Sequence, residues 1–240
     1  MYKRQTISCK AILENKNRNC SCLYVDSKKR TRDFRYIIQL AKKRNVKVQI
    51  CNRSELDALC DGTKHGGMLL EADLCTKRKL ENISSGFNVY VDGIEDPYNL
   101  GSICRTLYAS GAKSLILPLR DWSFADKTIV KASAGAFEKM DIYWIEKEEQ
   151  LIHCCREKDI PLYCAHRKDA ISLYEMNFPE SFVLALGGSF RGLSSLVCEN
   201  SSQNIVIPYG NDFKNALDAP SAISVPVSYT HLTLPTTIGV

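Results

Sequence analysis

The chain has 240 residues, and none of its apolar runs approaches the roughly 18 residues that a membrane-spanning helix needs. The longest run, around Phe182–Leu186, suits a buried strand. No Cys-x-x-Cys pair occurs among the 11 cysteines, which argues against a zinc ribbon or a thioredoxin-like site. No glycine loop leads into Gly-Lys-Ser/Thr, and no Gly-x-Gly-x-x-Gly spacing occurs, so the usual mononucleotide and dinucleotide fingerprints are missing. Lys3 and Arg4 are not followed by an apolar stretch, so a secretory leader is not expected. An odd, scattered set of cysteines without a leader argues against a disulfide framework. His153-Cys154-Cys155 is the nearest approach to a ligand cluster, and thiols packing in a helix explain it better than a metal. What is present is ordinary for a globular protein: 45% hydrophobic and 25% charged residues. The expectation is a soluble, cytoplasmic protein with neither a membrane nor a metal as partner.

Charge is informative once divided along the chain. Residues 1–82 hold 19 Lys+Arg against 9 Asp+Glu, a net +10, while residues 83–240 hold 13 against 18, a net −5. The overall +5 thus combines a strongly basic front with an acidic remainder. That asymmetry points to nucleic acid as the partner of the front part.

Strands and helices alternate throughout. In the front part, Leu23–Val25 reads as a strand, and Val46–Ile50 alternates as a half-buried strand should. Between them, residues 33–45 place Phe34, Ile37, Ile38 and Ala41 on one helical stripe, leaving Arg35, Lys42 and Lys43 off it. Ser54–Asp57 has capping-box spacing for a short helix, and Met68–Leu70 is a further strand. These elements define a basic α/β domain over residues 1–76, followed by a polar connector over 77–86. A second domain over 87–226 repeats the pattern. Strands are expected at 89–91, 114–119, 141–145, 161–165, 181–186 and 204–208, and helices at 99–110 and 125–133. Strands separated by helices imply a mostly parallel sheet, whose ligands bind in the loops after the strand ends.

Three such loops stand out. The first, Asp92 to Arg105, enters a helix for which Asn99 is placed as N-cap and whose buried stripe is Leu100, Ile103, Cys104 and Leu107. At about 100° per residue, Arg105 lies on the opposite face. The second, Leu186-Gly187-Gly188-Ser189-Phe190-Arg191-Gly192, has glycines that let backbone come close to a ligand. The third runs from Ile207-Pro208 through Tyr209-Gly210 to Leu217-Asp218.

In order, these loops resemble the three motifs of the SpoU/TrmH branch of the SPOUT superfamily, RNA ribose 2′-O-methyltransferases. Asn99, Gly101 and Arg105 match the first motif, and Ser133-Ala134-Gly135-Ala136 resembles the small-residue segment that follows it. Gly187, Gly188, Arg191 and Gly192 match the second motif; Ile207, Pro208 and Leu217 match the third. The likeness covers about residues 87–225, and the front domain is similar to the ribosomal-protein-like RNA-binding module of many members. The resemblance implies a C-terminal trefoil knot and S-adenosyl-L-methionine held by backbone at Gly187, Gly188, Ile207, Pro208 and Leu217. It also implies a homodimer in the native full-length protein. Arg105 is then the candidate catalytic residue, oriented by Asn99. Arg35, Lys42, Lys43, Lys64 and Arg191 are the candidate RNA contacts, with ribosomal RNA favoured over transfer RNA.

Three positions depart from the family pattern. Ser189 stands where a Glu is usual, Asp218 where an Asn is, and Pro220 where a Ser follows. Asp218 is therefore a candidate replacement for the missing polar group. The rival expectation is a catalytically impaired RNA-binding protein on the same scaffold. Residues 227–240 form a separate tail that resembles the read-through translation of a transposase sequencing adapter, and on that reading the last helix is cut short near Val225.

Overall fold

The computed structural model describes residues 2–4, 6–60, 65–76, 78–188, 191–212 and 215–233, with no side-chain detail at 2–4 and 231–233. In chain order the first elements are β1 (Tyr2–Arg4), α1 (Thr6–Glu14), β2 (Cys20–Asp26), α2 (Arg32–Lys43), β3 (Lys47–Cys51), α3 (Arg53–Leu59) and β4 (Met68–Ala72). Next come β5 (Arg78–Lys79), β6 (Phe87–Val91), α4 (Pro97–Ala109), β7 (Ser114–Pro118), α5 (Asp126–Ala132), β8 (Asp141–Ile145) and α6 (Glu148–Glu157). The last are β9 (Leu162–Ala165), β10 (Ala170–Ser172), β11 (Phe182–Leu186), α7 (Ser195–Glu199), β12 (Gln203–Val206) and α8 (Ala219–Thr233). They divide into two compact units: residues 1–76 with 122–139, and residues 77–121 with 140–240.

The first unit is built on a four-stranded sheet in the order β1-β4-β2-β3, with β2 and β3 parallel and β4 antiparallel to both its neighbours. Its helices form because each buries one stripe. Phe34, Ile37 and Ala41 of α2 are buried, the Thr31 hydroxyl accepts the Phe34 N–H, and Asp33 and Lys42/Lys43 sit at the ends that the helix dipole favours. Arg44 closes the end of α1, its Nη1 donating to the carbonyls of Ile12, Leu13 and Asn15 at 3.0–3.2 Å. The capping box of α3 is at Asn52 rather than Ser54: Asn52 Oδ1 accepts the Glu55 N–H, and the Glu55 carboxylate accepts the Asn52 N–H. Strand β3 is also not half-buried as its alternation suggests. It is an edge strand, and Ile50 is 68% exposed.

Arg18 lies deep in this unit, 1% exposed. Its Nε and Nη2 donate to the Glu138 carboxylate, Nη2 also to Asp126, and Nη1 to the Asp73 carbonyl. Asp126 and Glu138 are themselves buried, so the segment 122–139 is joined to the unit by a desolvated ion triad. At Gly135 a Cβ would lie 2.5 Å from the Ala11 Cβ, and its φ of +86° favours glycine as well.

The second unit carries an eight-stranded sheet in the order β10-β12-β9-β11-β6-β7-β8-β5, and every pairing in it is parallel. β6 and β11 sit at its centre, buried at every residue, as apolar runs covered on both faces should be. Tyr90 in β6 is fully buried, and among the described residues its hydroxyl has no hydrogen-bond partner. A buried unpaired hydroxyl costs desolvation without return, so Tyr90→Phe is expected to leave the unit as stable or stabilise it by about 1 kcal/mol in urea unfolding.

Buried thiols fill this unit as apolar residues do. Burial pushes Cys155 and Cys164 up to about 12, far from the range of a reactive thiolate. His153 turns away from its cysteine neighbours to pair with Glu157 at 3.3 Å. Helix α8 spans Ala219–Thr233, with Ile223, Val227 and Thr230 buried along one stripe. Pro226 lies inside the helix, and the Tyr229 hydroxyl donates to the Tyr174 carbonyl at 3.1 Å.

Candidate active site

Strands β6 and β11 are neighbours, so the first two loops leave the sheet side by side. The Asp92 N–H donates to the Leu186 carbonyl at 2.9 Å, extending the ladder past the strand ends. Beyond it the two loops touch backbone to backbone: a Cβ on Gly188 would lie 2.4 Å from the Gly93 carbonyl oxygen. A Cβ on Gly187 would lie 2.2 Å from the Gly192 carbonyl carbon, because the loop folds back on itself through a Gly188–Gly192 bridge. The glycines are therefore required by contacts within the protein, where the sequence suggested room for a ligand. Ser189, like Lys64, falls outside the described residues.

Helix α4 begins earlier than expected. Its N-cap is Asp96, whose carboxylate accepts from Tyr98 and Asn99 N–H, with Pro97 in the first position. Asn99 thus lies inside the first turn, its backbone capped and its side chain half-exposed. Leu100, Ile103, Cys104 and Leu107 form the buried stripe, as expected, and Arg105 is exposed on the other side. Among the described residues Arg105 makes no hydrogen bond or ion pair, and no hydrogen bond joins it to Asn99.

The third loop follows β12, and α8 beyond it packs on α4. Ile207 and Leu217 are half-exposed and Pro208 exposed. Asp218 caps α8: its carboxylate accepts the Ser221 N–H at 2.8 Å and its carbonyl accepts Ala222 N–H at 2.8 Å. Pro220 then occupies the first turn, where a missing N–H costs nothing. Within the loop the Leu217 N–H donates to the Tyr209 hydroxyl at 3.2 Å, and the Arg167 guanidinium lies 5.5 Å above the Tyr209 ring. Tyr209 was not among the residues singled out from sequence; an aromatic directly after Ile-Pro was the available signal.

Beside these loops a cleft of about 440 Å³ opens at the ends of β6, β7 and β8, lined by Asp92, Glu146, Glu148 and Glu149 against Lys147. Four carboxylates to one ammonium make it repellent to a phosphate backbone. In the first unit the field is reversed. Arg35, Lys42 and Lys43 are all exposed on α2, and Arg30 and Arg32 extend the basic face at its N-terminal end. Arg191 is exposed in the second unit.

A parallel α/β unit with its motif-bearing loops meeting at strand ends, paired with a basic α/β unit, is the build of SpoU-type methyltransferases, and solved structures share it. The SpoU methyltransferase AviRb from Streptomyces viridochromogenes, solved in complex with the cofactor AdoMet, superposes with a TM-score of 0.77 over 97% of this chain and 89% of that one, at 17% identity. A TrmH-family RNA methyltransferase structure from Porphyromonas gingivalis gives 0.77 over 95% and 87%, at 22% identity. The chain belongs to the SpoU rRNA methylase family, whose profile matches residues 86–224. A second profile, RNA 2′-O ribose methyltransferase substrate binding, matches residues 7–83. Proteins named as TrmH family tRNA/rRNA methyltransferases are similar over most of the chain: one from Staphylococcus aureus is 28% identical over 196 residues, 79% of each chain. One from Bacillus subtilis is 28% identical over 180 residues, 72% of each chain.

Proposed function

We propose that this chain transfers a methyl group from S-adenosylmethionine to the 2′-oxygen of a ribose in structured RNA, ribosomal RNA in preference to transfer RNA. The observation that carries the reading is the backbone contact of Gly93 with Gly188, which brings the Arg105 helix and the glycine loop to one strand end. The residues present fit the cofactor. Ile207 and Leu217 are half-exposed, so their backbone can be reached, and the exposed Asp218 carboxylate is suited to a sulfonium. Gly187, Gly188, Ile207, Pro208 and Leu217 would hold it, in a knotted chain end and a homodimer as the family likeness implies.

When bound, the cofactor supplies an electrophilic methyl group on sulfur. The protein has to align a weak nucleophile and stabilise the charge that develops as the 2′-hydroxyl loses its proton. Arg105 is suited to that: it is exposed, makes no ion pair among the described residues, and its guanidinium fork can bind the alkoxide and the neighbouring phosphate together. Asn99, six residues earlier on α4, is assigned the role of orienting the ribose or the guanidinium once RNA is bound. The RNA body is held by the basic face of α2.

Labelled S-adenosylmethionine with ribosomal and transfer RNA tests the reading, followed by alkaline hydrolysis. A 2′-O-methyl group blocks cleavage at its own linkage, so label recovered in an alkali-stable dinucleotide supports the proposal. RNA bound without label transfer supports the impaired-scaffold reading. Replacing Arg35, Lys42 and Lys43 together by alanine is expected to weaken RNA binding and to lower the slope of log K against log salt by about 2. An unchanged slope in filter-binding titrations would place the RNA elsewhere.

A further inference from the structure

We infer that Tyr209 is a positioning residue for the cofactor loop, holding the Leu217 backbone in place through its hydroxyl while Arg167 holds its ring. The inference rests on the proposed function, because it concerns the same third loop.

The loop runs from the end of β12 at Val206 to the α8 cap at Asp218. At one end Asp218 is fixed by its own helix, through the Ser221 and Ala222 N–H groups. At the other, Tyr209 stands three residues beyond the strand. The Leu217 N–H donating to Tyr209 Oη at 3.2 Å joins these ends across eight residues. Tyr209 is itself held: β9 and β12 pair in parallel, with Ala165 opposite Ile205, so Arg167 follows one strand end and Tyr209 the next. The guanidinium 5.5 Å above the ring is a cation–π contact between those two strand ends. The two contacts are separable, since one uses the hydroxyl and the other the ring.

A loop already closed loses less conformational freedom when it takes a ligand, so its affinity is higher than that of the open loop. Tyr209 is not itself placed on the reacting atoms. Removing its hydroxyl should therefore change cofactor affinity and leave the chemical step alone.

The test is Tyr209→Phe, which keeps the ring and the Arg167 contact. Isothermal titration with S-adenosylmethionine should show affinity lowered roughly 3- to 10-fold, the size expected for loss of one hydrogen bond. At saturating cofactor, kcat and the KM for RNA should stay within about twofold. In cofactor-free protein the Leu217 amide should exchange with deuterium faster than in the parent, a readout independent of activity. Arg167→Gln should give a smaller loss in the same direction. Normal binding by the parent with unchanged affinity in Y209F would overturn the inference alone. Tighter binding in Y209F would also overturn it, showing that the hydroxyl competes with the cofactor for the Leu217 N–H. A parent chain that binds no S-adenosylmethionine would overturn the proposed function and this inference together.

Discussion

Alanine at Arg105 is expected to lower methyl transfer by about 100- to 1,000-fold, the usual cost of removing one preorganised donor from a developing oxyanion. The loss should fall on kcat at saturating S-adenosylmethionine. Cofactor affinity should stay within about twofold, because the residues proposed to hold it lie on the second and third loops and Arg105 is an exposed residue of α4. Folding should be unaffected: Arg105 is exposed, and among the described residues nothing in the protein bonds to it. Alanine is also a better helix former than arginine, so any stability change should be small. Lysine at this position keeps the charge and loses the two-point fork, and an intermediate rate is expected for it. An Arg105→Ala protein that transfers methyl groups within a few-fold of the parent would remove Arg105 from the mechanism. Single-turnover assays separate this from slow product release.

The parallel sheet was legible because its strands are short apolar runs set between helices. Phe182–Leu186 and Ser114–Pro118 needed only length and composition to be recognised. The exposure of Arg105 was legible for a similar reason, since a helix stripe of four apolar residues fixes which side faces out. Elements whose state depends on a distant neighbour were not. Val48 and Ile50 alternate as half-buried residues do, but β3 is an edge strand, and strand order is not written in local periodicity. Asn99 and Asp96 are equally good caps by residue type, and Pro97, which fits the first helical position, decides for Asp96. The two glycines at 187 and 188 were visible, but what a side chain there would meet was not: it is Gly192, Leu193 and Gly93. Tyr209 escaped notice because its partner is a backbone N–H eight residues on, across a loop with no repeating pattern. Asp218 was legible as an unusual residue, and only the structure shows its carboxylate engaged as a helix cap.

Arg18 is the extreme case, an arginine with carboxylate partners 108 and 120 residues away, and it carries the largest stability effect expected here. Arg18→Ala should destabilise the first unit by about 3–5 kcal/mol, because it removes the buried guanidinium that Asp126 and Glu138 face. The loss is mostly the penalty on two buried carboxylates deprived of their cation, which two further results would establish. Replacing Arg18, Asp126 and Glu138 together by Met, Leu and Leu should restore much of the stability, since no charge is then left in the interior. Lowering the pH should also narrow the gap between Arg18→Ala and the parent. A buried, unpaired carboxylate takes up a proton more readily folded than unfolded, so the variant loses stability as pH rises and recovers it as pH falls. Urea unfolding of the first unit can be followed through Trp122 in a Trp144→Phe background, since these are the two tryptophans of the chain. A pH-independent loss below 1 kcal/mol would show that segment 122–139 is held by its apolar contacts alone, such as those of Ile129, Val130 and Phe137. A loss of the expected size would make the triad the main tie between that segment and the basic unit, even though 122–139 lies within the stretch matched by the methylase profile.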